Sequence, residues 1–205
     1  SDVQIRYTLD GSEPSETNGQ TYSAPLTIDK TTTLRAISYR PYHLPSEVTS
    51  CTWLFLEDIL TQSSSPPKGW PSSGQINGHA MHYGMNPGVT ASANYAERIR
   101  EGFKDIPSIS ILTDLDNLFD PQMGIYVNPG NSGDAWERPA SVELIDPQGG
   151  EEFHINAGLR IRGAASRTSG NPKHSFRLFF RSRYGESQLI FPLFGDEGVS
   201  VFDKI

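Results

Sequence analysis

The sequence predicts a mainly β, α+β chain, with a small β-sandwich first and then an antiparallel sheet carrying one or two helices. Three observations predict it. Short runs of alternating apolar and polar residues recur along the chain, Gly 19 and Pro 15 in 205 residues break them into strand-length pieces, and one stretch carries apolar residues at four-residue spacing.

The elements follow in order. In "VQIRYTLDG", Val3, Ile5, Tyr7 and Leu9 share one face and Gln4, Arg6 and Thr8 the other, and the run ends at the Asp10-Gly11 turn signal. "TTTLRAISY" and "EVTSCTWLF" are rich in β-branched and aromatic residues, with "GSEPSETNGQTYSAP" supplying the loops. Trp53 is expected in the core, and Tyr42, in the loop "YRPYHLP", is expected to be exposed. Residues 1–57 are therefore read as one small β-sandwich.

The Ser-, Pro- and Gly-rich stretch from Leu60 to Val89 has little apolar periodicity and lies in a linker, 58–89, that wraps over a neighbouring surface. "TASANYAERIREGFKDI" reads as a helix, with Thr90 or Ser92 as N-cap, Tyr95, Ile99 and Phe103 on one stripe, and Pro107 limiting its end. Within 90–205, "SISILT" is a buried strand, "DLDNLFDPQMG" a turn or one-turn helix with Asp114 or Asp116 as N-cap, and "GIYVN" a further strand. "RPASVELIDPQGGEEFHINAGLRIRG" is an antiparallel hairpin, and "KHSFRLFFRSRYG" pairs next to it.

The net charge of -7 argues against nucleic-acid binding across the whole surface, so any affinity for an anion is local. Cys51 is the single cysteine, which excludes an internal disulfide and a cysteine-based zinc or redox site. No apolar run is long enough for a membrane span, and both ends fall in mid-pattern, as in a piece of a longer protein. His79 and His82 lie among glycines without an acidic or cysteine partner, so no metal site is expected there, and no "GxSxG" elbow supports a hydrolase.

One segment stands against the acidic balance. Between Leu159 and Gly185, Arg160, Arg162, Arg167, Lys173, Arg177, Arg181 and Arg183 account for seven of the 17 Lys and Arg residues, and no carboxylate interrupts them. Period two puts Arg160 and Arg162 opposite Leu159 and Ile161, and Arg177 and Arg181 opposite Phe176, Leu178 and Phe180. The intervening "GAASRTSGNPK" has small residues that permit close backbone approach and many hydrogen-bond donors. Such a hairpin suits a phosphate chain, although the loop matches neither a Walker A nor a "GxGxxG" pattern. The alternative is structural, with the arginines solvated or paired to Glu137, Glu143, Glu151 or Glu152. "AWERPA" is read as a local stack and ion pair of Trp136, Glu137 and Arg138 that supports the sheet.

Two family resemblances follow from these motifs. "YTLDGSEP", "YSAPLTI" and "TTTLRA" resemble the chitobiase/β-hexosaminidase C-terminal-like module, also called the fibronectin-III-associated domain. That resemblance implies a secreted, modular bacterial protein close to surface polysaccharide. "WERPASVE", "RIRG", "PKHSFRLFF" and "LIFPLFGD" are similar to the N-terminal part of the spore coat protein H (CotH) kinase family, atypical kinases that transfer phosphate from ATP to Ser or Thr of surface proteins.

The second resemblance implies ATP as cofactor, with Mg in the complete domain, a protein substrate, an extracellular or cell-surface location, and contact of Arg162, Ser166 and Lys173 with the nucleotide phosphates. It places the catalytic and metal-binding carboxylates beyond Ile205, so this stretch alone is expected to lack kinase activity. His174 stands where many members carry a second Lys. The competing expectation is a non-catalytic surface adhesion or polysaccharide-binding protein.

Overall fold

The computed structural model describes residues 2–72, 74–195 and 197–205. It is mainly β with antiparallel sheets, as the sequence predicts, and its residues group into two compact units, Ser1–Gln62 with Gly84–Phe103, and Ser63–Tyr83 with Lys104–Ile205.

In the first unit, β1 (Gln4–Thr8), β2 (Gln20–Thr21), β3 (Thr32–Tyr39) and β4 (Thr49–Trp53) form one antiparallel sheet in the order β2-β1-β3-β4. Of the apolar face read on β1, only Tyr7 is buried; Val3, Ile5 and Leu9 stay substantially exposed. Trp53 is not in the core but 37% exposed at the end of β4, whereas Tyr42 stands fully in solvent at φ 66°. A short helix, α1 (Leu56–Leu60), is tied to the sheet by Asp58, whose carboxylate accepts from Thr31 N at 2.6 Å.

The helix predicted from Thr90 onward begins later. Asn86, not Thr90 or Ser92, caps the preceding one-turn helix α2 (Pro87–Thr90) by accepting from Gly88 N, and the regular helix α3 spans Ala96–Asp105. Ser92 instead serves the link between them, its carbonyl accepting from Ala96 N. The end before Pro107 is as expected.

In the second unit, β5 (Ser108–Leu112), β6 (Arg138–Ile145), β7 (Phe153–Arg162) and β8 (Ser175–Phe179) form an antiparallel sheet in that order. The predicted hairpin is in place, with Val142 opposite Ile155 and Ala140 opposite Ala157, and β8 pairs to its other side. Ala140, Val142, Ile155, Ala157, Leu159, Ile161 and Leu178 are the buried face, capped by Ile125, Phe180 and Leu189. The chain end runs beside β8, exchanging hydrogen bonds between Leu178 and Ile205 at 2.9 and 3.0 Å, and a small hairpin, β9 (Leu189–Ile190) with β10 (Val201–Phe202), precedes it.

Two strand expectations need correction. β5 is not buried: it is the sheet's edge, leaving Ile109 and Ile111 51% and 36% exposed. "GIYVN" forms turns, because Ile125 N and Tyr126 N donate to the carbonyls of Asn117 and Leu118 around helix α4 (Leu115–Phe119) rather than to a neighbouring strand. Asp114 occupies the N-cap position of α4 without a side-chain capping bond, while Asp120 accepts from the amides of Gln122 and Met123 in the turn that follows. The Ser63–Tyr83 stretch packs on this unit through the Trp70 ring, 5.5 Å from that of Phe119.

Candidate anion-binding site

β7 and β8 bring the basic residues together on the face opposite the core. Leu159 and Ile161 are buried beneath, Arg160 is in register with Arg177, and Arg162 with Ser175. Directly opposed like charges repel, so the arrangement requires counter-charges or a ligand. The structure supplies some of the former.

Glu137, in the turn leading into β6, has a side chain with no exposure and lies across Gly158 of β7. It accepts from Arg160 Nε at 2.6 Å, pairs with Arg181 Nε at 3.0 Å and accepts from Arg183. Asp134, in the 3-10 turn Asp134–Trp136, also pairs with Arg160 and sits 3.6 Å from Arg181, but 65% of its side chain is exposed. The Arg160 and Arg181 guanidinium groups additionally cover the Phe179 ring at 4.3 and 5.0 Å. The ion pair expected inside "AWERPA" is therefore not local: Arg138 stacks on Trp136 at 5.5 Å and donates to the Met123 carbonyl, while Glu137 turns to the distant arginines.

Arg167 is satisfied differently. Its guanidinium donates to the carbonyls of Pro129, Gly130 and Asn131, clamping the loop after β7 onto the 128–132 segment. The same loop is held by His174 Nδ1, 3.2 Å from Ser166 O, by Asn171 on that carbonyl, by His79 Nε2, 2.7 Å from Ser169 O, and by Tyr126 OH on Pro172 O. His174 is buried against Tyr126 as an anchor of the loop, and His79 is a second anchor.

What is left is a cleft of about 410 Å³ whose lining includes Arg160, Arg162, Arg167, Arg177, Trp136 and Phe179. Among the described residues, Arg162 and Arg177 have no side-chain partner. Of the three residues expected to meet phosphate, Arg162 lines this cleft and Ser166 and Lys173 do not. Ser166 lies just behind the rim: a Cβ on Gly163, at φ 122°, would collide with its Oγ. Lys173 is exposed and is not part of the cleft's lining. Arg177 belongs to the site by register with Arg160, a signal already present in the alternation of "SFRLFF".

The pairings shift titrations in readable directions. The hydrogen bond from Arg160 holds the Asp134 carboxyl below its ordinary value of 3.8, with the charges of Arg181 and Arg183 adding to it. A folded-state pKa that is depressed contributes stability above the ordinary carboxylate value and loses it as pH falls through the depressed one. The difference in thermal midpoint between wild type and Asp134→Asn is therefore expected to shrink as pH drops below that range, measured by melts across an acid pH series. Burial pushes the Tyr184 hydroxyl up, and the Glu137 charge pushes it in the same direction.

Comparison with known proteins adds one family. Residues 1–53 match the family model described as Fn3 associated, so a mainly β chain opens with a fibronectin-III-associated module. No curated protein and no solved structure matches the chain. No helix among the described residues is long and apolar enough to cross a membrane.

Proposed function

We propose that the second unit is the N-terminal part of a CotH-like atypical kinase domain, and that its arginine cleft receives the phosphates of ATP for transfer to Ser or Thr of a protein substrate. The observation that carries this reading is the pair Arg162 and Arg177, two guanidinium groups without a side-chain partner among the described residues, facing one cleft on a rigid hairpin. Guanidinium forks suit phosphate oxygens, and the anchored loop behind them has little entropy left to lose. ATP, when bound, supplies the phosphoryl group. The chain's own residues bind and orient it.

Magnesium belongs, in this reading, to the complete domain; among the described residues no group of three or more His, Cys, Asp and Glu side chains gathers to hold a metal ion. The fibronectin-III-associated module supports a bacterial protein working at the cell surface or outside the cell, near polysaccharide. Glu137 favours the second reading, a non-catalytic surface adhesion or polysaccharide-binding protein, because it already engages three of the seven clustered cations.

Titration calorimetry of the chain with ATP and with tripolyphosphate separates the two. Arg162→Ala and Arg177→Ala are each expected to weaken binding about tenfold or more, since a hydrogen bond to a charged group contributes roughly 1.5–3 kcal/mol. Binding that is indistinguishable among wild type and both variants removes the cleft from the reading. Lys173→Ala is expected to change little, since Lys173 does not line the cleft.

A further inference from the structure

An acid stands beside the cleft: Asp134 follows the lining residue Gly133 in sequence and is not itself part of the lining. Asp134 reaches Arg160, a lining residue, from a turn that follows Gly133 at φ 88°. Resting on the phosphate reading above, we infer that the Asp134 carboxylate is a built-in competitor at this site: it occupies Arg160 until a polyphosphate takes its place.

The two acids at the site differ in a way that assigns them different roles. Glu137 is wholly enclosed, braced across Gly158 and engaged by three guanidinium groups, so it cannot leave without stranding buried charge. Asp134 is mostly in solvent and is bonded through one carboxylate oxygen, with Arg181 too far at 3.6 Å for a strong second bond. An exposed pair of this kind contributes little, and water can take over the released carboxylate at small cost. Glu137 remains on Arg160 and keeps it aimed while Asp134 exchanges.

The exchange selects among ligands. A monovalent anion offers Arg160 no more charge than Asp134 already supplies, and Asp134, being tethered, competes at high effective concentration. A polyphosphate offers several charges at once and engages Arg162 and Arg177 along with Arg160. The site is thus tuned against carboxylates and single monoanions and toward phosphate chains.

The test is calorimetric titration of the whole chain with tripolyphosphate for wild type, Asp134→Asn and Arg177→Ala, with Asp134→Ser as a second replacement and a thermal melt on each protein. Removing the competitor is expected to tighten binding roughly two- to fivefold, while Arg177→Ala weakens it. A side chain with only a structural role does not give a gain. If Arg177→Ala weakens binding and both Asp134 variants leave it unchanged or weaker, the competitor is overturned and the phosphate cleft stands. If no protein binds, the Asp134 variants included, both are overturned.

Discussion

Glu137→Gln is expected to destabilise the second unit by about 3 kcal/mol, the lower end of what breaking a buried ion pair from one side costs. The side chain has no exposure, and the amide that replaces the carboxylate brings an NH2 toward guanidinium groups that need acceptors. The magnitude follows from the partners. Arg181 and Arg183 are 37% and 46% exposed and regain water when released, whereas Arg160, at 16%, is largely enclosed and keeps only the exposed Asp134 as counter-charge. One under-compensated guanidinium, not three, sets the cost. Hydrogen exchange of the β6 and β7 amides reports this unit alone, and protection equal to wild type would show that the cluster contributes nothing net.

The same cluster explains which part of the site was legible in the sequence. Alternation in "LRIRG" and "SFRLFF" is a local property, so the face that Arg160, Arg162 and Arg177 occupy could be read directly. Their partners could not. Glu137 meets Arg160 and Arg183 across 23 and 46 residues, and which acid captures which arginine depends on strand order and on Gly158 leaving room for a side chain to cross. Three of the seven clustered cations are thereby paired with Glu137, a fourth clamps the loop, and the uncompensated field available to a ligand comes mainly from Arg162 and Arg177.

Ser166 and Lys173 show the limit for loops. Their composition suited phosphate, but where they point depends on the carbonyls of 129–131 that receive Arg167 and on the His174 anchor, none of which has a local pattern. The fold divides in the same way. The β6–β7 hairpin was legible because its alternation and the "DPQGG" turn agree on one register, and the first module because its turn motifs are specific enough for a family match. β5 was assigned as a strand but not as an edge, since periodicity does not say how many neighbours a strand has. "GIYVN" carries apolar residues that suit a strand, yet helix α4 offers free carbonyls nearer in sequence, and its amides take those first.

Gly158→Ala is expected to destabilise the protein by about 2 kcal/mol, against the general trend for such a change, because replacing glycine in a strand with alanine ordinarily gains roughly 0.5–1 kcal/mol through reduced chain entropy. The reason is spatial. A Cβ at 158 would fall 2.5 Å from Cγ and Oε1 of Glu137, closer than real contacts allow. A free Glu side chain would rotate away at little cost, but this one is fixed by three guanidinium groups, so relief comes only by giving up ion pairs. The sign should therefore reverse in a Glu137→Ala background, where the added methyl enters space already vacated and the ordinary gain of alanine returns. Urea denaturation of the four proteins in this cycle measures the coupling. Equal effects of Gly158→Ala in both backgrounds would mean that Glu137 is not locked in place, and that Arg160 owes its position to the Phe179 ring and Asp134 instead.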